Sequence, residues 1–158
     1  WLSLPLKNKL QIEKRTEVVQ YILNNPDFTS VLEGNIKLIG DLERLISKVS
    51  TTRVSPRECN QLKQALNAIE PIKEACKKTN SSQIKIISEQ LNPCKNIADK
   101  IKNTITENPP ALVNKGNVIK EGINSELDEL RNLSKSGKDY LQKILERESE
   151  KTIIKRQN

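Results

Sequence analysis

Trp1, Tyr21, Phe28 and Tyr140 are the aromatic residues of this 158-residue chain, and that scarcity narrows the folds open to it. A core without rings must be filled by Leu, Ile, Val and Ala. That suits helix-on-helix packing better than a sandwich or barrel, where β-branched and aromatic residues dominate. With 35% hydrophobic and 30% charged residues the core is thin, and the length suits one domain. The expected fold is therefore all-α and multi-helical.

Punctuation along the chain places the helices. Asn8 can cap a first helix running to about Asn24, with Ile12, Val18, Val19, Ile22 and Leu23 at helical spacing. Asn25-Pro26 ends it, because the residue before proline avoids helical geometry. Asp27 can cap a helix from Phe28 to Ile39, which Gly40 stops, and Asp41 begins another. Ser55-Pro56-Arg57-Glu58 is the clearest local signal: a cap, a proline at the first helical position, and a glutamate able to reach back to the cap amide. The helix that follows meets Pro71, a kink or a boundary. Thr79 to Ser82 reads as a loop, a weaker helix runs to Leu91, and Asn92-Pro93 opens another lasting to about Thr106. Leu112-Val113 and Val118-Ile119 flank Asn114-Lys115-Gly116-Asn117, which predicts a short hairpin with Gly116 or Asn117 at positive φ. Asn124 or Ser125 starts a long last helix to about Lys151. It bears a narrow stripe of Leu127, Leu130, Leu133, Tyr140 and Ile144 on an otherwise charged surface.

Several function classes lose support. The net charge of +7 invites a nucleic-acid reading, yet most of the 27 basic residues are lysines spread along the chain. No basic run interleaves with aromatics, so no stacking platform for single strands is visible. A solvated lysine-rich surface is the preferred reading, and any DNA binding by this segment should be weak and steeply salt-dependent. Histidine is absent, so the usual triads and acid–base pairs cannot be built, and Cys59, Cys76 and Cys94 have neither the number nor the spacing of a zinc site or disulfide framework. Ser136-Gly137-Lys138 faintly resembles the end of a phosphate loop. However, Asp139 stands where the hydroxyl should be, and no glycine stands five residues before Gly137. No catalytic, cofactor-binding or metal residues are assigned. No apolar run approaches a membrane span, and no signal peptide is visible. The chain opens on Trp1 and holds no Met, which predicts a piece of a longer protein, or one whose methionines were replaced.

Residues Ile39 to Val49, IGDLERLISKV, followed by Arg53 to Glu58, RVSPRE, resemble the signature of the MutS core domain. Trp1 to Lys7 resembles the start of that domain, Gln64 to Lys73 its next helix, and Asn108 to Arg131 its proline loop, hairpin and lever helix. The resemblance implies one core or lever domain over 1–158. It comprises a helical core (1–107) and a hairpin plus lever helix (108–158) leading toward a clamp outside the chain. It also implies a non-catalytic segment of a DNA mismatch repair protein, one linking a DNA clamp to a distant ATPase. ATP and magnesium belong to the parent and not to this chain. The implied partners are mismatched double-stranded DNA through the parent, a second parent copy and downstream repair proteins. The implied place is the bacterial cytoplasm, on the nucleoid when DNA is bound. Asp41, Arg44, Arg53, Ser55, Pro56, Arg57 and Glu58 make up the structural signature, and of these Asp41, Arg44, Arg53, Ser55 and Glu58 are expected to hold the junction between two helices by capping and ion pairs. After Lys151-Thr152 the family continues with glycine and a strand, whereas this chain reads Ile153 to Asn158. The clamp is thus either cut away, or the tail belongs to a later piece. A helical scaffold or coiled-coil module unrelated to repair is the alternative, and an autonomous DNA-binding domain a third.

Overall fold

The computed structural model describes residues 5–152, so the readings on Trp1 to Leu4 and on Ile153 to Asn158 lie outside the described residues. Seven α-helices form among them: α1 (Lys9–Asn24), α2 (Pro26–Ile39), α3 (Leu42–Ser50), α4 (Pro56–Lys77), α5 (Ser82–Gln90), α6 (Lys95–Thr104) and α7 (Ser125–Thr152). Two compact units divide between Val118 and Ile119.

The first unit is organised on α4, against which α2, α3, α5 and α6 all pack. Its core gathers Ile72, Cys76 and Ile84, with Val18, Tyr21, Phe28, Leu32, Ile39 and Leu91 against them. Two of the few rings meet there: Tyr21 and Phe28 stand edge to face, centroids 5.6 Å apart. Ala65 and Ala68 on α4 and Ala98 on α6 are nearly sealed from solvent, and such small side chains let neighbouring helices approach closely.

Local hydrogen bonds explain most helix starts. The Asn8 side chain accepts from the Gln11 amide, Asp41 from Arg44, Ser81 from Ile84 and Asn124 from Leu127. Two boundaries differ from expectation, and at Pro71 the boundary alternative does not hold. Pro26 itself begins α2, placing Asp27 in the first turn rather than at the cap, because proline's fixed φ suits the first helical position. Pro71 does not end α4, which runs on to Lys77. A mid-helix proline costs about 3 kcal/mol, but Ile72 and Cys76 are buried just beyond it, and burying the isoleucine alone returns roughly 1.5–3 kcal/mol. Finally, α6 begins only at Lys95, after Cys94 adopts a left-handed φ of 46° and donates its amide to the Asn92 side chain.

The expected hairpin over 112–120 does not form. Val113–Lys115 makes a 3-10 turn, although Gly116 and Asn117 do take positive φ, 72° and 54°. The chain then returns toward Thr106 instead of toward Leu112-Val113. The Thr106 amide donates to the Val118 carbonyl at 2.9 Å, and its hydroxyl to the Asn117 carbonyl at 2.9 Å. The cause is burial. Leu112 and Val113 stay exposed, whereas Val118 turns into the protein, so pairing these two-residue runs would have covered nothing.

Asn60 on α4 fastens the segment after α6 to which the chain returns. Its Nδ2 donates to the carbonyls of Thr106 and Glu107 at 2.8 and 2.9 Å, from a side chain almost wholly buried. Asn60→Ala should cost about 1–3 kcal/mol, because two carbonyls lose their donor where water has little access. Urea unfolding of the 158-residue chain checks this; an unchanged midpoint would show that the segment is held by other means.

Candidate functional site

The signature residues meet where α3 hands over to α4. Ser55 caps α4: its Oγ accepts from the Glu58 amide at 3.3 Å, while its own amide and hydroxyl both donate to Glu58 Oε2 at 3.0 Å. Pro56, buried, occupies the first helical position. The other carboxylate oxygen of Glu58 faces α3. Oε1 accepts from Arg44 at 3.3 Å and forms a short ion pair with Lys48. Asp41 completes the set, capping α3 through the Arg44 amide at 3.0 Å and facing the Arg44 guanidinium at 3.8 Å.

These contacts fix the charge on Glu58. The Lys48 ammonium, then the Ser55 amide and hydroxyl, lower its pKa from 4.5 to about 2. Arg57 works on the other side of α4, where its Nε donates to the Pro109 carbonyl at 3.1 Å. The signature thus joins α3, α4 and the proline loop.

Arg53 stands apart. Its amide donates to the Lys48 carbonyl at 2.9 Å and that of Thr52 to the Val49 carbonyl at 3.0 Å, the two bonds of a Schellman helix stop. The left-handed position usually held by glycine is Thr52, with φ of 55°. The exposed Arg53 side chain makes no ion pair among the described residues.

A second bonded cluster lies in the other unit, at the root of α7. Asp128 accepts from the Gly122 amide at 2.7 Å and pairs with Arg131 at 3.2 Å, and Arg131 also donates to the Ile119 carbonyl at 2.8 Å. The sequence reading singled out neither these residues nor Lys48 and Asn60. For Lys48 a signal existed: four residues after Arg44, it shares that residue's face of α3. For Asn60 there was none, since its partners lie more than forty positions away.

Burial pushes the thiols of Cys59 and Cys76 up, away from the thiolate a nucleophile needs. Among the described residues no cluster of three His, Cys, Asp or Glu side chains could hold a metal ion. No helix among them is long and apolar enough to cross a membrane.

Two outcomes test the junction. Ser55→Ala should cost about 1 kcal/mol by denaturant unfolding. Because the folded pKa of Glu58 lies below its unfolded value, its contribution is complete above pH 4.5 and is lost as pH falls toward 2. Melting of the unsubstituted 158-residue chain should therefore decline more steeply across that window than melting of its Glu58→Gln variant. Parallel curves would show that Glu58 does not carry the acid sensitivity.

A family model, MutS domain III, matches residues 1–156. Proteins named DNA mismatch repair protein MutS align over 154 residues, 98% of this chain: 55% identical in Bacteroides thetaiotaomicron, 51% in Christiangramia forsetii and 48% in Flavobacterium psychrophilum. The chain spans 18% of the length of each of these relatives. Membership rests on nearly every residue described above, the capped junction included: this chain belongs to the MutS domain III family.

Proposed function

We propose that the chain is the core, or lever, domain of a MutS-like mismatch repair protein, carrying a DNA clamp on long helices and relaying movement between clamp and ATPase. The carrying observation is α7. It has 28 residues, roughly 42 Å at 1.5 Å per residue, and its first turns are pinned by Asn124, Asp128 and Arg131. A helix so rooted passes a displacement along its length, because bending it strains its own hydrogen bonds. The capped junction and the Asn60 tie supply the complementary part, a bonded core against which movement can be referred.

Recognition of mismatched duplex, ATP hydrolysis with magnesium, pairing with a second copy and recruitment of later repair proteins belong, on this reading, to the longer parent, working in the bacterial cytoplasm and on the nucleoid. The chain itself is non-catalytic. Relay requires an element with two arrangements that both sites bias, and α7 with its root is the candidate.

The test breaks the helix at its middle. In the full-length protein, Lys138→Pro interrupts α7 at a cost of about 3 kcal/mol to the helix. Basal ATP hydrolysis should persist while the effect of ATP on release from mismatched duplex is lost, measured by stopped-flow hydrolysis and fluorescence anisotropy. Coupling equal to that of the unmutated protein would overturn the relay.

A further inference from the structure

We infer that the cleft between α4 and α5 is a site for a terminal phosphate group, of inorganic phosphate or a phosphomonoester, held by Lys73, Lys77, Lys85 and the Ser88 hydroxyl. The cleft lies wholly in the first unit, so this inference and the relay by α7 can fail separately.

A cavity of about 560 Å³ opens where the two helices pack, lined by Lys73 and Lys77 of α4 and by Lys85, Ser88 and Glu89 of α5. Helical spacing puts each set on one face. Lys73 and Lys77 are four residues apart, and Ser88 and Glu89 stand three and four after Lys85. Lys73 is anchored: its Nζ donates to the Leu91 carbonyl at 2.8 Å, which leaves two further donors on the ammonium. Lys77 pairs with Glu74 at 2.8 Å. The hydrogen bond from Lys77, with the charges of Lys78 and Lys73 behind it, holds the Glu74 carboxyl below its ordinary range. Lys85 forms no ion pair among the described residues. It stands near the start of α5, where the helix dipole disfavours a cation, so capping does not account for it.

Ser88 points to a ligand independently of the lysines. Only 2% of it is exposed, yet its hydroxyl forms no hydrogen bond among the described residues. A helical serine or threonine can return its hydroxyl to the carbonyl four residues back, as Thr16 and Thr51 do here. A buried hydroxyl without a partner costs stability, and alanine would fill the same place without that cost. Ser88 borders the cleft, where an acceptor entering from solvent meets it.

The chemistry of the lining selects the ligand. A terminal phosphate carries close to two negative charges at neutral pH and three acceptor oxygens, which matches several ammonium donors and one hydroxyl. A backbone phosphodiester fits less well. It has one charge, a duplex holds it between sugars, and Glu89 repels it at the cleft while Ser88 lies deep. No aromatic or large apolar side chain lines the cleft, so nothing there reads a base or a sugar, and recognition falls on the phosphate.

Titration of the 158-residue chain with inorganic phosphate tests this, followed by calorimetry and by amide chemical shifts. Binding should be in the millimolar range, with shifts centred on the end of α4 and on α5. Lys85→Gln, an exposed position, and Ser88→Ala should each weaken binding about tenfold, the scale of one hydrogen bond to a charged group. Lys115→Gln removes the same charge outside the cleft and should leave the affinity unchanged. Equal weakening by Lys115→Gln would assign the binding to the general positive charge and overturn the site. Binding unaffected by both cleft variants, or no binding at all, overturns it as well. A duplex lacking terminal phosphates is the last arm. If it displaces phosphate and loses affinity in both cleft variants, the cleft serves backbone phosphodiesters and the proposal is wrong.

Discussion

Glu58 has two carboxylate oxygens and uses them in different directions. Oε2 turns back to the Ser55 amide and hydroxyl and closes the start of α4. Oε1 reaches across to Lys48 and Arg44 and holds α3. A carboxylate with its lone pairs divided in this way fixes the position of one helix relative to the next, which a capping box alone does not do. Surface ion pairs are typically worth 0–1 kcal/mol, and Lys48 and Arg44 are each substantially exposed. The strength here comes from convergence: four donors share one carboxylate that is itself only 16% exposed. The rest of the first unit depends on that geometry, since α4 is the helix that the others pack upon.

From the same helix, Arg57 and Asn60 extend the arrangement to the segment after α6. Both donate to main-chain carbonyls around Pro109 and Pro110, where the chain has lost two backbone donors and cannot form a regular ladder. Side chains supply what the backbone cannot. Asn60 does so incompletely: its Oδ1 is buried without a hydrogen-bond partner among the described residues. An orphan acceptor of this kind is the local cost of using an amide rather than an ammonium to tie two carbonyls. The division of labour follows residue chemistry, with the charged group at the half-exposed rim and the neutral one in the buried position.

Helix starts were legible in the sequence because a cap is a contact within three residues. Asn8, Asp41 and Ser55 each accept from the amide that the spacing indicates. The capping box at Ser55 was legible for the same reason, and so was the all-helical class, since a chain poor in rings has few alternatives. Elements decided at longer range were not. Whether Pro71 stops α4 depends on what buries Ile72 and Cys76. Whether Leu112-Val113 pairs with Val118-Ile119 depends on Thr106, which competes for the same carbonyls. At the candidate site the pattern repeats. Ser55 and Glu58 could be paired from spacing, but the bond of Arg57 to Pro109 and the isolation of Arg53 require the tertiary structure. Family resemblance named all seven signature residues together without distinguishing those that bind inward from the one that faces out.

The long helix poses the opposite problem from the core. Leu130, Leu133, Tyr140, Leu141, Ile144 and Leu145 all remain at least 40% exposed on α7. Its interior includes Gly137, which costs a helix roughly 0.8–1.0 kcal/mol relative to alanine. Most helical stability in proteins comes from burying an apolar face rather than from propensity, and here that face is unburied beyond the root. What the chain does provide is nucleation. Forming the first turn is the unfavourable step in helix growth, and Asn124, Asp128 and Arg131 satisfy it with an amide cap, a loop amide and a loop carbonyl. The sequence thus invests its polar specificity at the root of α7 and leaves an apolar stripe along the rest. A helix built in this way has its starting point fixed by its own unit, while the stability of its distal half is left to whatever covers the stripe.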